Sequence, residues 1–215
     1  MKFNIKQRKV WFSSDFHFLH KNIIKSISEW SDGGQRDFNS IEEMDDEIIN
    51  QMNKNISEND VLFMLGDFAF GDKTKIPELR KRLNVKEIHL IFGNHDHNLR
   101  KHYTDVFTSC VDYREITLVE PQPEGKALKT RIVLCHYPIF IWNGHSQGFI
   151  HLYGHTHGSI KDETFLKRRV LDVGIDNAFE MFGEYKPFSA EFIIEEMSKR
   201  EIIFLDHHSE DTNVY

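Results

Sequence analysis

Short apolar runs that end abruptly in polar clusters are the main pattern along this chain. Runs at residues 10–13, 61–65 and 88–92 in the first half, and at 132–135 and 150–153 in the second, each lead directly into such a cluster. Apolar runs of this length, bounded by turn-forming residues, are typical of buried strands. The pattern therefore predicts strands whose ends carry the chain's polar chemistry.

Helical periodicity occupies the gaps between the first three runs. Ser40 and Glu43 have the spacing of a capping box, in which each side chain accepts a hydrogen bond from the other residue's backbone N–H. Apolar residues then recur at helical spacing, at Ile41, Met44, Ile48, Ile49 and Met52. Residues 76–83 predict a shorter helix. Alternating strands and helices favour parallel βαβ units in this half.

The second half is richer in predicted strands. Residues 110–119 and 130–135 are interpreted as a hairpin closed by the polar loop 120–129. Residues 170–173 predict a further strand. This half of the chain is therefore expected to add sheet rather than helix.

The end of the chain is expected to pack beside this sheet. Residues 188–197 predict a helix, and residues 202–205 an edge strand or a docked tail. The predicted fold class is α/β, with one sheet or two packed sheets flanked by helices. We expect a single domain over residues 1–215, with its core at about 8–198 and a tail at 199–215. Ligands of such folds collect at the carboxyl ends of strands, where the clusters lie.

The composition is that of an ordinary globular protein. Of 215 residues, 40% are hydrophobic and 28% are charged. No apolar run reaches membrane-spanning length, and residues 1–9 are too polar for a secretory signal. Cys110 and Cys135 make no disulfide framework; isolated thiols are favoured, and a Cys110–Cys135 bond is the alternative. We therefore expect a cytoplasmic protein with no membrane partner.

The net charge of −7 argues against a broad basic face. Stable binding of duplex nucleic acid, which needs such a face, is therefore not expected. The argument is weaker at the clusters, because two divalent cations held by aspartates would leave that cleft locally positive. An acidic chain can still bind an anionic substrate at that one place.

The first two clusters offer carboxylates and an imidazole. Asp15 and His17 are two residues apart, so in an extended segment both point the same way and could bind one ion. Asp67 follows Gly66 at a strand end, where its carboxylate could bridge two ions. The alternatives are a capped turn for the first cluster and ordinary turn chemistry for the second.

The third cluster combines a neutral oxygen with a candidate acid. Asn94 offers an amide oxygen as a ligand for a hard or borderline ion. His95 need not be a ligand, and Asp96 could orient its imidazole. A histidine held in this way can donate a proton to a leaving oxygen. The alternative is a polar turn.

The remaining clusters supply imidazoles. His136 ends its run alone, and His155 and His157 stand two residues apart between glycines. Each cluster has a structural alternative of its own, but those alternatives are independent of one another. All of the clusters together favour a two-metal site, which is typical of hydrolysis at phosphorus.

In order and without a gap, these clusters resemble the signature of the calcineurin-like metallophosphoesterases, over residues 15–157. The resemblance implies a four-layer α/β/β/α sandwich. It also implies a first metal held by Asp15, His17, Asp67 and His157, and a second held by Asp67, Asn94, His136 and His155. Mn²⁺ is the first choice for both ions, with Fe, Zn²⁺, Ni²⁺ or Mg²⁺ as alternatives.

The reaction that the resemblance implies is direct. A hydroxide bridging the two metals attacks phosphorus in line, and no covalent phosphoenzyme forms. His95 protonates the departing oxygen, and Asp96 is its partner. The expected function is a phosphodiesterase or phosphatase, with nucleotides and cyclic nucleotides among the candidate phosphoester substrates. The alternatives are a nuclease acting on nucleic-acid ends and a catalytically silent metal-binding interaction scaffold. The oligomeric state is left open.

Candidate substrate contacts lie in the loops. His20 and Asn22 continue the resemblance beyond the first cluster, and Arg36 is a candidate phosphate clamp with a solvated loop arginine as the alternative. Asn143 could line the cleft or belong to a polar loop. Two tryptophans, Trp30 and Trp142, could either stack on a base or pack under loops. Two late aspartates are interpreted as turn or capping residues: Asp172 and Asp176.

Overall fold

The structure is a computed structural model that describes residues 1–31 and 34–204. Its strands form two five-stranded sheets. In chain order the strands are β1 (Lys2–Asn4), β2 (Val10–Ser13), β3 (Val61–Met64), β4 (Glu87–Ile91), β5 (Ser109–Val111), β6 (Tyr113–Glu120), β7 (Leu128–Cys135), β8 (Ile150–Tyr153), β9 (Val170–Asp172) and β10 (Phe188–Ser189). The α-helices are α1 (Ile41–Asn55), α2 (Ile76–Arg82), α3 (His97–His102), α4 (Glu163–Leu166), α5 (Ile175–Phe182) and α6 (Ala190–Ser198).

Both sheets are mixed, and each contains a run of parallel strands. The first has the order β10-β2-β3-β4-β5, in which β2 to β5 are parallel and β10 is antiparallel to β2. The second has the order β1-β6-β7-β8-β9, in which β6 and β7 are antiparallel and the other pairs are parallel. The carboxyl ends of β2, β3 and β4 therefore lie side by side, and so do those of β7 and β8.

The two sheets face each other across a shared apolar core. Phe12 and Phe63 of the first sheet and Ile132 and Leu152 of the second are fully buried in it. Helix α1 covers the outer face of the first sheet. Helix α4 packs against the outer face of the second through Phe165. The prediction of an α/β sandwich with helices outside two sheets is confirmed.

Strand β3 is apolar on both faces, which is why its sequence does not alternate. Successive side chains of a strand point to opposite faces. Phe63 therefore lies between the sheets, whereas Leu62 and Met64 pack under α1 with Ile48. Strands buried on both faces read as continuous hydrophobic runs, so the run at residues 61–65 is explained.

Helix α1 begins after Ser40 as predicted, but only one of the two capping-box hydrogen bonds forms as expected. Ser40 Oγ accepts from the backbone N–H of Glu43 at 3.1 Å. In a complete capping box the Glu43 side chain would accept from the backbone N–H of Ser40. Among the described contacts, Glu43 Oε2 instead accepts from the backbone N–H of Asn39 at 2.8 Å. The cap still satisfies one of the otherwise unpaired N–H groups of the first turn.

The predicted strand at residues 110–119 is wrong as a single element. Its first residues belong to β5, which pairs with β4 in the first sheet. After Asp112 the chain enters β6, which pairs with β7 in the second sheet. A run of strand-forming residues does not reveal which sheet each part joins, so the crossing at Asp112 was not visible. The β6–β7 hairpin itself is confirmed.

The predicted helix at residues 188–197 begins two residues later than expected. Phe188 pairs with Phe12 and Ser189 with Trp11, so this pair of residues forms the edge strand β10. Ser189 Oγ then accepts from the backbone N–H of Phe192 at 3.1 Å and caps α6. The same serine thus ends a strand and starts a helix.

The chain's end is not a strand in its described part. Glu201 donates its N–H to Lys167 O at 3.0 Å, and no strand is assigned to residues 202–204. Of the predicted tail at 199–215, residues 205–215 lie outside the described residues. Within the described ranges, no helix combines the length and apolar character needed to cross a membrane. Both cysteines are free thiols, which contradicts the alternative of a bond between them.

Candidate metal centre

Backbone hydrogen bonds join the ends of β2 and β3 beyond the last strand residues. The N–H of Asp15 donates to Gly66 O at 3.0 Å, and the N–H of His17 donates to Asp67 O at 3.0 Å. These bonds continue the parallel ladder into the polar clusters, so the first and second clusters lie side by side.

The clusters of the second sheet reach across to those of the first. The backbone N–H of His155 donates to Asp15 Oδ2 at 3.0 Å. His136 Nδ1 lies 2.7 Å from Leu65 O, and its Nε2 lies 3.0 Å from Asn94 Oδ1. The structure thus brings strand ends from both sheets together at one edge of the sandwich.

Several predicted ligand residues have a backbone conformation that is rare outside glycine. Their φ angles are positive: Asp15 (59°), His17 (52°), Asp67 (54°), His155 (69°) and His157 (48°). Such left-handed conformations are uncommon for residues with a side chain and cost free energy. Each turns the chain sharply at a strand end and directs the side chain back toward the same small volume.

Two glycines make the close approach of these loops possible. Gly66 has φ of 93°, and a Cβ there would lie 2.7 Å from His136 Nδ1 and 2.5 Å from Gly93 N. A Cβ at Gly93 would overlap the Asp67 carboxylate. Only a residue without a side chain fits at either position.

Two buried carboxylates stand at the middle of the cluster. Asp15 Oδ1 lies 3.8 Å from His17 Nε2 and 4.0 Å from His157 Nε2. Asp67 Oδ2 lies 3.7 Å from His17 Nε2 and 3.6 Å from His136 Nε2. Asp67 therefore faces histidines of both predicted metal positions.

Two sets of side chains could each hold a cation. The first is Asp15, His17 and His157, and the second is Asp15, Asp67 and His136; within each set the ligand atoms lie within 4.8 Å of one another. Asp15 belongs to both sets, whereas the sequence resemblance makes Asp67 the shared ligand.

Unpaired buried atoms in the cluster are available to a cation. Asp15 Oδ1 and both ring nitrogens of His17 are buried, and they have no hydrogen-bond partner among the described residues. Buried polar atoms are almost always paired. Ligand atoms about 2.0–2.2 Å from one ion lie no more than about 4.4 Å apart, so the 3.6–4.0 Å separations suit shared coordination.

Burial shifts the pKa values of two predicted ligands. Burial raises the pKa of Asp15 to about 7, although His136 and His157 oppose the rise. Burial, with Arg36 next, lowers the pKa of His17 well below its usual value. A neutral imidazole is the form that binds metal, and a bound cation would restore the carboxylate of Asp15.

Hydrogen bonds at the far ring nitrogens orient two of the histidines. Leu65 O accepts from His136 Nδ1, which leaves Nε2 facing Asp67 and Asn94. Asn94 Oδ1, on that same side, also lies 2.9 Å from His155 Nδ1. At His157, Nδ1 lies 2.6 Å from Asp176 Oδ2, which leaves Nε2 facing Asp15. An acceptor at one ring nitrogen fixes the tautomer and presents the other nitrogen to a metal.

The predicted partnership of Asp96 with His95 is wrong in this structure. Both Asp96 oxygens accept backbone N–H groups, from Gly93 at 2.8 Å, Asp67 at 2.9 Å and Phe68 at 3.1 Å. Asp96 therefore binds the β3 and β4 loops to each other instead of orienting an imidazole. His95 is held through its backbone N–H, which donates to Asp67 Oδ1 at 2.9 Å.

The His95 side chain lies at the edge of the cluster. It is 40% exposed, and its Nε2 lies 4.0 Å from Asp67 Oδ2. It therefore borders the cluster without being enclosed by it.

Arg36 is not available to a substrate, which corrects its prediction as a phosphate clamp. The side chain is fully buried, and Nε and Nη2 donate to the two Asp176 oxygens at 2.8 Å each. The guanidinium also donates to Asp15 O at 2.6 Å and Phe16 O at 2.7 Å. The guanidinium of Arg36 thus links the loop that carries Asp15 to helix α5.

Asp176 was missed as a functional residue by the sequence reasoning. Its Oδ2 lies 2.6 Å from His157 Nδ1, so the aspartate joins Arg36 to a predicted metal ligand. Burial favours the neutral acid, but Arg36 and His157 together hold the pKa of Asp176 far below its usual value. The available signal was its position just after β9, another strand that ends at this edge.

The three other residues predicted to contact substrate differ in how close they lie to the cluster. His20 is buried beside the cluster, and burial lowers its pKa to about 4, so it is neutral near pH 7. Asn22 Oδ1 accepts from the N–H of Glu29 at 3.1 Å and braces its own loop. Asn143 donates to Glu115 in β6 at 2.9 Å, rather than to a member of the cluster.

The fold and the site define an α/β sandwich with Asp/His groups at its strand ends that could bind metal ions. No family model matches the chain. It is similar to the uncharacterized protein MJ1445 of Methanocaldococcus jannaschii, with 26% identity over 204 residues that cover 93% of this chain and 97% of that protein.

One solved structure shares this architecture. The protein of unknown function AQ665 from Aquifex aeolicus is similar with a TM-score of 0.61 and 22% identity, over 88% of this chain and 99% of that one. That likeness concerns the fold alone. The nuclease MPE of Pseudomonas putida is a more distant match, with a TM-score of 0.37 and 20% identity over 69% of this chain and 61% of that one.

Proposed function

We propose that this protein is a metal-dependent phosphoester hydrolase of the calcineurin-like type, acting as a phosphodiesterase or phosphatase. The observation that carries the proposal is the convergence of strand ends from both sheets on two buried aspartates. Asp15 and Asp67 there face histidines at 3.6–4.0 Å, with Asp15 Oδ1 and His17 Nε2 unpaired among the described residues. A mixed oxygen and nitrogen site for two ions is typical of hydrolysis at phosphorus.

The ligands of the proposal are those that the sequence resemblance implies. Asp15, His17, Asp67 and His157 would hold one ion, and Asp67, Asn94, His136 and His155 the other. When bound, two divalent ions supply Lewis-acid chemistry, acidifying water and offsetting the charge of the phosphoryl oxygens. Mn²⁺ is our first choice because carboxylate, amide and imidazole ligands suit a borderline ion, with Fe, Zn²⁺, Ni²⁺ or Mg²⁺ as alternatives.

The protein's own groups hold this site in shape. Asp176 keeps the proton of His157 on Nδ1, so that Nε2 points to Asp15. Leu65 O does the same for His136. Arg36 binds the loop of Asp15 to the helix that carries Asp176. Preorganised ligands of this kind need little rearrangement when charge develops.

His95 has the role of the acid in this proposal. Its ring stands at the border of the cluster, within 4.0 Å of Asp67 Oδ2. As an imidazolium it donates its proton to the departing ester oxygen, which is worth about a hundredfold to ten-thousandfold in rate.

The test begins with metal analysis of the purified protein and continues with two chromogenic esters. Bis-p-nitrophenyl phosphate reports diesterase activity, and p-nitrophenyl phosphate reports monoesterase activity, each with and without added Mn²⁺. We expect metal-dependent hydrolysis that Asp67→Asn removes. Asp46→Asn is a matched control, because that aspartate lies exposed on α1.

The outcomes separate the proposal from its alternatives. Short oligonucleotides and a panel of nucleotides are assayed in parallel, and cleavage restricted to oligonucleotide ends would favour the nuclease. Metal binding without cleavage of either ester or of any nucleotide would favour the interaction scaffold and would contradict the proposed catalysis.

A further inference from the structure

A pocket of about 180 Å³ opens beside the candidate metal centre. One side of its lining comes from the cluster and includes His95 and His157. The other side comes from later parts of the β2–α1 and β3–α2 connections, beyond their predicted ligands, and includes Trp30, Phe70 and Ile23. A group bound in this pocket would therefore be adjacent to whatever the centre holds.

The loop side of the pocket is a continuous aromatic wall. The His20 ring stacks on Phe70, with centroids 4.0 Å apart and planes at 16°. Trp30 meets His20 edge-on, with centroids 5.3 Å apart. Phe70 in turn lies 4.8 Å from His95. The wall thus runs from the outer loop to the proposed acid.

Two members of this wall are exposed. Trp30 is 46% exposed and Phe70 is 38% exposed, while His20 between them is buried. The other tryptophans, Trp11 and Trp142, are buried. Large aromatic faces left open beside a polar centre are typical of ligand sites, because a bound ring removes that apolar surface from water.

The second observation is a buried polar atom in the same wall. His20 Nδ1 is buried, and it has no hydrogen-bond partner among the described residues. Buried ring nitrogens are normally paired. Gln35, exposed at the rim of the pocket, adds an amide that can both donate and accept.

We propose that the pocket binds the nucleobase of a nucleoside phosphate whose phosphate lies at the metal centre. Flat aromatic faces with a nearby amide are how proteins hold a single unstacked base. The volume is smaller than that of a drug-sized site, so it suits one ring system instead of a stretch of polymer. The net charge of −7 likewise favours a mononucleotide over a long nucleic acid. This inference rests on the proposed function for the position of the phosphate.

The experiment compares three ligands on the Mn²⁺-loaded full chain. Adenosine 5′-monophosphate carries base, sugar and phosphate, ribose 5-phosphate lacks the base, and phenyl phosphate carries a ring that is not a base. Binding is followed by calorimetry and by tryptophan fluorescence. If a ligand is hydrolysed during the titration, as shown by release of inorganic phosphate, its KM is compared instead of its Kd.

Adenosine 5′-monophosphate should bind about five- to 150-fold more tightly than ribose 5-phosphate, which corresponds to the stacking of one base. It should also quench the fluorescence of Trp30. Trp30→Ala and Phe70→Ala should each reduce the preference and leave the affinity for ribose 5-phosphate unchanged. Phe140→Ala is the control, because that phenylalanine is exposed but packs with Phe165 instead.

Equal binding of the first two ligands, or a preference that survives both substitutions, would overturn the inference. Phenyl phosphate binding as tightly as the nucleotide would overturn the assignment to a base. Hydrolysis of bis-p-nitrophenyl phosphate in the same preparations keeps the two proposals distinct. Hydrolysis without nucleotide preference contradicts only the pocket, and preference without hydrolysis contradicts only the catalysis.

Discussion

The Asp67 side chain lies beside residues from several different strand ends. Its carboxylate faces His17, His95 and His136, and one oxygen also accepts the backbone N–H of His95. One side chain therefore lies beside both the proposed acid and two predicted ligands, but only His95 is hydrogen-bonded to it. His95 is tied through its backbone, so its ring can be removed while the loop stays in place.

We expect His95→Ala to keep its metal and to lose most of its turnover. The loss in kcat should be about a hundredfold to ten-thousandfold, since only the proton donor is removed. Metal content and kcat are measured on the same preparation. His97→Ala is the neighbouring control, because His97 is exposed at the start of α3. A metal-replete variant with unchanged kcat would show that His95 is not the acid.

Asp176→Asn should weaken metal binding by about ten- to a hundredfold, because His157 loses the carboxylate that orients it. The change also leaves the Arg36 guanidinium buried without its counter-ion, so a loss of about 3–5 kcal/mol in unfolding free energy is expected. Competition with a chelator reports the affinity of the folded fraction. Glu180→Gln on the same helix is the control, and equal affinities in the two variants would contradict a positioning role.

At the scale of elements, the sequence was informative wherever an apolar run ended in a polar residue. The runs at residues 10–13 and 150–153 match β2 and β8. Predictions failed where the cause is tertiary: the chain changes sheets at Asp112, and Arg36 turns inward to a partner 140 residues away. Local propensity carries no information about such long-range partners.

Helix α1 carries a buried acid that makes its stability depend on pH. Burial raises the pKa of Asp45 to about 7, although the N–H of Leu19 donates to both its oxygens. The folded state thus holds a proton that the unfolded state loses near pH 4. Stability is fully present below that lower pKa and is lost as pH rises through about 7.

Asp45→Asn should therefore become more stable relative to the natural protein as pH rises from 5 to 8. The amide oxygen can still accept from Leu19, but no charge is buried. Urea unfolding of both proteins in EDTA, at several pH values, measures the difference. A difference independent of pH would mean that Asp45 is already ionised in the folded state.

At the scale of the whole molecule, the two sheets are joined at their carboxyl edge by polar contacts, such as the bond from His155 to Asp15. A cation bound between them should stabilise the complete sandwich. At Mn²⁺ of 100 times its Kd the gain is about 2.7 kcal/mol. For a domain of this size that raises Tm by about 5–11 °C.

Thermal unfolding with EDTA or Mn²⁺ measures this shift. Asp67→Asn, which removes the charge of a predicted ligand, should lose most of the response, whereas Asp46→Asn should keep it. A Tm indifferent to Mn²⁺ in the natural protein would contradict a metal site that joins the sheets.

The left-handed backbone at Asp15, Asp67 and His155 has a consequence for evolution. Glycine adopts this conformation without the cost that other residues incur, so a chain selected only for stability would accumulate glycine there. Under our proposal, selection for metal binding opposes that drift at these positions. A descendant that had lost the centre would therefore be recognised by glycines at its strand ends, before any change in its fold.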